Sequence, residues 1–361
     1  DNGYQTIHVG KAHFGAIGTP GADPQNLGFK VNIAGHAAGA PASYRGKDNF
    51  GNDENGMATS DWSVPGLKKY FGQDINLTDA LTQEAILAME EAQKQEKPFF
   101  LYMAHYTVHV PIQADDRYYQ KYLNRGMDTI EAKYASMVEG MDQSLGDLLN
   151  YLEEQNIEEN TIVLFMSDNG GLSAGGRGGE KHHHNHPLNS GKGSSYEGGI
   201  REPMLVYWPK NTPKGSVCND YVMIEDFFPS ILEMAQIQDY QTVQQVDGLS
   251  FTSFLQQNSA PAKSRDLIWH FPNKWGLSGP GIGTYSAIRS GDWKLIYFYG
   301  DRRFELFNIK EDIGETQNRK DEHPQLVKEL ATKLGDYLRS VKAQRPRYKE
   351  SGEWVPWPDD F

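Results

Sequence analysis

Cysteine is almost missing: Cys218 is the one thiol in 361 residues, between Val217 and Asn219. No internal disulfide and no thiolate metal cluster can therefore form, and nothing beside the thiol suggests catalysis. Positive charge is also short. The 35 Lys and Arg face 48 Asp and Glu, for a formal net charge of -13, which argues against a nucleic-acid partner because phosphate backbones are bound by basic patches that displace counterions. An anionic substrate would need local cations. Long apolar runs are absent too: none approaches the roughly 18 residues that cross a bilayer. The opening Asp-Asn-Gly-Tyr has neither the basic start nor the apolar stretch of an export signal. The chain opens without Met and close to a dense motif, so a natural N-terminus is expected upstream.

What is there is a globular composition. Apolar residues make 38% and glycine adds 37 positions, enough for one large domain with an appendage or for two ordinary domains. Leu81, Ala85, Ile86, Leu87 and Met89 recur at helical spacing over 78–96, with Thr78 as the expected N-cap. Pro98-Phe-Phe-Leu-Tyr-Met103 then reads as a strand covered on both faces. Met137, Met141, Leu145, Leu148, Leu149 and Leu152 predict a second amphipathic helix over 129–155, followed by a buried strand at Thr161-Ile-Val-Leu-Phe-Met166. Long helices alternating with short apolar strands imply an α/β fold with a largely parallel sheet, whose ligands gather beyond the carboxyl ends of the strands. Residues 31–76, rich in Gly, Asn, Ala and Asp, read as an irregular excursion over the surface. From about Lys263 short alternating runs, 285–289, 293–298 and 304–307, predict a small antiparallel sheet. Leu326, Leu330, Leu334 and Leu338 predict a closing helix packed across it. The expected division is a catalytic α/β domain at 1–262 and a smaller α+β subdomain at 263–361, joined by a linker near 258–265.

The chemistry-bearing residues follow the strands. Ser167-Asp168-Asn169-Gly170-Gly171 places a carboxylate and an amide oxygen where hard ligands for Ca²⁺ or Mg²⁺ would stand, although the same string is an excellent turn. Gly191-Lys192-Gly193 sets one ammonium among glycines, able to approach an anionic oxygen, without the spacing of a nucleotide-binding loop. Gly10-Lys11-Ala12-His13 puts an ammonium and an imidazole on one side of an extended chain, or in a solvated loop. His105 and His109 follow the first buried strand, His109 in a stretch restricted by Pro111; a satisfied core histidine is the plainer reading of either.

Together these strings form a specific pattern: G-Y-Q-T-x-x-x-G-K-x-H-x-G at 3–15, F-F-L-Y at 99–102 with H-x-P at 109–111, D-N-G at 168–170, and G-K-G-x-x-Y-E-G-G-I-R-x-P at 191–203. It resembles the type I sulfatases of the alkaline phosphatase superfamily, and the likeness continues through Ala287-Ile-Arg-Ser-Gly-Asp-Trp-Lys-Leu295 and Glu305-Leu-Phe-Asn308. The resemblance implies an alkaline phosphatase-like fold and hydrolysis of a sulfate ester by a formylglycine hydrate beside Ca²⁺. Asp168 and Asn169 match two of the metal ligands. Lys11 and Lys192 match the lysines that hold sulfate oxygens, His109 the acid that protonates the departing alkoxide, and His13 the base for sulfate release.

Two elements of the family pattern have no counterpart. Neither Cys218 nor any serine stands in a C-x-P-S-R context, and two further carboxylate ligands are missing. A preceding segment is expected to carry the formylglycine and those ligands. The run Lys181-His-His-His-Asn-His-Pro187 invites zinc, but adjacent histidines diverge in extended chain and no Cys or carboxylate accompanies them. A solvated loop, or a lip of the site at which His183, His184 and His186 touch sugar hydroxyls, suits it better.

The resemblance thus points to a sulfatase acting on a sulfated polysaccharide or glycan, exported to the periplasm or beyond. A phosphomonoester or phosphonate hydrolase is the alternative within the superfamily. A non-catalytic glycan-binding protein beginning near residue 1 is the alternative outside enzymes.

Overall fold

The computed structural model describes residues 2–256, 265–273 and 276–360. The chain divides into two compact units, Asp1–Thr161 with Gly176–Gly179, and Ile162–Gly175 with Glu180–Phe361. The expected boundary at 262/263, with nearly all of its linker, lies outside the described residues.

The first unit is built on a parallel three-stranded sheet of β1 (Gln5–Gly10), β2 (Val31–Ile33) and β3 (Phe99–Ala104), in the order β2-β1-β3, with Ile7 opposite both Val31 and Leu101. From Ile7 to Gly10 the central strand is buried on both faces. β3, expected to be covered likewise, is not: as a flanking strand it leaves Tyr102 44% exposed. Helix α1 (Leu77–Lys94) lays Leu77, Leu81, Ala85 and Met89 into this core. Its N-cap is Asn76, whose side chain accepts the Thr78 N–H, so the predicted cap at Thr78 lies two residues too late. Between them comes a short helix, α2 (Tyr119–Leu123), followed by α3 (Thr129–Glu154), which is capped by Asp128. The α3 stripe differs from its apolar spacing. Ala132, Ser136, Gly140 and Ser144 are buried at four-residue intervals, whereas Leu149 is exposed; small residues let a helix approach closely even though they do not read as hydrophobic. The excursion after β2 is no mere surface loop, because Tyr44, Phe50, Val64 and Leu67 are all buried within it.

The second unit begins with β4 (Val163–Met166), which pairs antiparallel with β5 (Met204–Tyr207), and carries a single helical turn, α4 (Glu197–Ile200), between them. After α5 (Phe227–Met234) and α6 (Thr252–Leu255) comes an antiparallel sheet, β6 (Leu267–Phe271), β7 (Tyr285–Ser290), β8 (Trp293–Phe298) and β9 (Arg303–Asn308), in chain order. Helix α7 (Pro324–Ser340) covers it, and Leu330, Leu334 and Leu338 pack on Ile288, Leu295 and Leu306 as the leucine spacing requires. Each such leucine contributes about 1.5–3 kcal/mol by leaving water. Among the described residues no helix is long and apolar enough to cross a membrane.

Candidate active site

In the first unit the candidate residues emerge from the carboxyl ends of β1 and β3. Gly10 has φ 99°, and a methyl group there would collide with the Ala104 carbonyl. Only glycine lets the two strand ends close, after which the Lys11 N–H donates to that carbonyl at 2.7 Å. His13 follows, exposed, with its N–H on the His36 carbonyl at 3.0 Å and its ring against Gly39. The excursion therefore forms the seat of His13.

Beyond β3 the two histidines have opposite fates. Burial presses the His105 pKa down to about 4. Its Nε2 lies 2.8 Å from Ser144 Oγ, which meets Thr82 Oγ1 at 2.5 Å, while Thr82 donates to the Thr78 carbonyl. With the Thr82 proton committed, Ser144 donates to Thr82 and His105 Nε2–H donates to Ser144. His105 is the satisfied core histidine. His109 is half-buried, and its Nδ1 donates to the Val110 carbonyl at 3.0 Å. A carbonyl only accepts, so this bond keeps a proton on Nδ1 and leaves Nε2 as the exchangeable atom.

The second unit gathers the others around interlocked glycines. Gly170 and Gly171 follow Asp168 and Asn169 at the end of β4; the Gly170 N–H donates to Gly199 at 3.2 Å, and a methyl at Gly170 would strike the Gly198 carbonyl. A methyl at Gly191 would strike Gly171, whose carbonyl accepts the Lys192 N–H at 3.2 Å. Asn185 Nδ2 donates to the carbonyls of both Gly171 and Ser190. Lys192 is thereby fixed on the loop that carries Asp168 and Asn169.

The histidine run is a chain of turns. His184 Nδ1 lies 3.2 Å from Ser173 Oγ, His183 is exposed beside Glu180 at 3.6 Å, and His186 is exposed. His182, which the sequence did not single out, packs against Gly279. Its pKa is lowered by burial and by its Lys181, His183 and His184 neighbours.

Two acidic features were not legible in the motifs. Glu202 has its pKa raised to about 7 by burial and by the charge of Asp168, and its Oε1 is buried without a hydrogen-bond partner. A divalent cation would relieve that crowding, so the donors at Asp168 and Asn169 suit Ca²⁺ chemically. Among the described residues no three His, Cys, Asp or Glu side chains converge to hold a metal, so these two would be part of a shell. Behind the Lys192 loop, Lys294 of β8 is fully buried with Nζ 3.0 Å from Glu197 and 2.8 Å from Glu315. Burial pushes on both carboxyls, but with opposite results. Glu197 has Lys294, Arg289 and Arg201 and stays below its usual pKa, whereas Glu315, paired with Lys294 but repelled by Glu197, rises to about 7. The signal in the sequence was a lysine at the second position of an otherwise apolar strand.

Comparison with known proteins identifies the family. A family model described as "Sulfatase" matches residues 1–237, and one described as "N-sulphoglucosamine sulphohydrolase, C-terminal" matches 190–344. The chain belongs to the sulfatase family. A sulfatase of Formosa agariphila is 33% identical over 318 residues, covering 82% of this chain and 55% of that protein. N-acetylgalactosamine-6-sulfatase of Homo sapiens is 31% identical over 353 residues, covering 87% and 63%. The chain thus spans between about half and two thirds of these relatives. The crystal structure of Ps i-CgsB, 28% identical, matches with a TM-score of 0.78 over 96% of this chain and 74% of that one.

Proposed function

We propose that the native protein hydrolyses sulfate esters of a carbohydrate. The observation that carries this reading is the glycine interlock that seats Lys192 on the loop bearing Asp168 and Asn169, which joins an anion-holding cation to hard oxygen donors within one unit. Lys192 and Lys11 hold sulfate oxygens and neutralise charge that grows as the bond breaks. His109, with Nδ1–H committed to Val110, delivers the Nε2 proton to the departing alkoxide. His13 takes the proton whose removal releases sulfate. Asp168 and Asn169 would hold Ca²⁺, or Mg²⁺, and the bound cation would supply Lewis acidity to the formylglycine hydrate expected of the family. His183, His184 and His186 line the sugar side.

A sulfated glycan is favoured because the human relative bears the name N-acetylgalactosamine-6-sulfatase and Ps i-CgsB has been crystallised with k-i-k-neocarrahexaose. A periplasmic or extracellular location goes with this reading. The test is to incubate the native protein with sulfated galactan and galactosamine oligosaccharides and with matching phosphate monoesters. Sulfate release that greatly exceeds phosphate release supports the reading; phosphate release at a comparable or higher rate replaces it with phosphomonoester hydrolysis, and neither leaves a glycan-binding protein.

A further inference from the structure

Tyr44 sits in the excursion and was not among the residues with assigned chemistry. It is 1% exposed, and its contacts converge on one loop. The hydroxyl lies 2.7 Å from the Tyr106 carbonyl and 2.9 Å from the His109 carbonyl. Its own N–H donates to Gln113 Oε1 at 2.6 Å, and its carbonyl accepts the Leu77 N–H at the start of α1, also at 2.7 Å. One residue anchored on a long helix therefore grips the His109 loop before, at and after the histidine. Residues 107–111 belong to no helix or strand; Thr107 Oγ1 meets Thr78 Oγ1 at 2.6 Å, and the His109 N–H donates to the same Tyr106 carbonyl at 3.0 Å. Burial, with Tyr106 nearby, raises the phenol pKa well above its usual value, so it remains a donor throughout the working pH range.

We infer that Tyr44 is a positioning residue that fixes His109 for proton delivery, with its single hydroxyl proton shared between the carbonyls of Tyr106 and His109. The inference rests on His109 being the acid of the proposed reaction. A phenylalanine at 44 would keep the ring and its packing but release both carbonyls, and a misplacement of about 1 Å costs an acid on the order of a hundredfold in rate.

The experiment compares Tyr44→Phe with Tyr106→Phe in the native protein. Tyr106 donates to the Ala34 carbonyl at 2.9 Å and lies 3.1 Å from His36, so its variant loses a similar buried hydroxyl without freeing His109. Each is assayed on a sugar sulfate, whose alkoxide must be protonated to leave, and on 4-nitrophenyl sulfate, whose phenolate leaves without help. Tyr44→Phe is expected to lower kcat on the sugar sulfate by about 10- to 100-fold with little change in KM, and to spare the aryl sulfate. Tyr106→Phe should leave the ratio of the two rates unchanged. In a His109→Ala background Tyr44→Phe should have no further effect on that ratio. Equal losses on both substrates, or a full additional loss in the His109→Ala background, would overturn the inference. If the native protein cleaves neither ester, the reaction assignment fails, and hydrogen exchange decides the structural part: faster exchange of the 107–110 amides in Tyr44→Phe than in Tyr106→Phe supports Tyr44 as their anchor, and equal exchange rejects it.

Discussion

Replacing Lys294 by Met tests how the second unit is held together behind the Lys192 loop. The ammonium is fully buried and bridges Glu197 at 3.0 Å and Glu315 at 2.8 Å. Glu197 keeps Arg201 at 3.2 Å and Arg289 at 3.8 Å after the change, whereas Glu315 keeps chiefly the Glu197 N–H at 2.6 Å. The damage therefore falls on Glu315, which becomes a buried charge without its cation. Breaking a buried pair from one side costs about 3–5 kcal/mol. Glu315 already has its pKa raised to about 7, and loss of the ammonium raises it further. The unfolded carboxyl, near its ordinary value, binds fewer protons than the folded one between the two values, so stability falls as pH rises through that window. The deficit should be larger at pH 8 and shrink as pH falls to 6. Adding Glu315→Gln removes the stranded charge and should return about 2 kcal/mol or more. Urea unfolding followed by tryptophan fluorescence reports this unit, since Trp62 is the one Trp before residue 162 and the chain has 7. A loss below about 1 kcal/mol at pH 8, or one that does not vary with pH, would refute the argument.

Other consequences concern each unit by itself. Gly170→Ala should drive a methyl group into the Gly198 carbonyl, a backbone atom that cannot rotate away; we expect a loss of about 1–3 kcal/mol, read as a lower melting temperature, together with impaired sulfate release. His105 binds a proton in the unfolded chain from its ordinary value near 6.5 but in the folded chain from about 4. Its contribution is present above pH 6.5 and is lost as pH falls toward 4, amounting to about 2 kcal/mol at pH 5. His105→Gln should flatten that limb of the stability profile in urea unfolding followed by circular dichroism, and an unchanged limb would exclude His105 as its source.

Much of this architecture was legible in the sequence where spacing and burial coincide. Phe99–Ala104, Trp293–Phe298 and the leucines of α7 announce themselves by runs and periods. The motifs also placed Lys11 and His13 beyond β1 and Asp168 and Asn169 beyond β4. Three things escaped for physical reasons. Ser136, Gly140 and Ser144 form the buried stripe of α3 because close approach selects size rather than hydrophobicity. Tyr44 and Phe50 are core residues inside a stretch whose glycines and asparagines signal a loop. The partners of Lys294 lie 97 and 21 residues away, a separation no local pattern encodes.

The most direct test of the account measures kcat/KM for sulfate release from a sulfated oligosaccharide by the native protein, Asp168→Asn, Lys192→Met and the double variant. Groups that serve one reaction center are strongly non-additive. Each single variant should lose at least about a hundredfold, and the double should be little worse than either. Near-native sulfate release by Asp168→Asn, or losses that simply multiply, would contradict a shared sulfate site on these two loops.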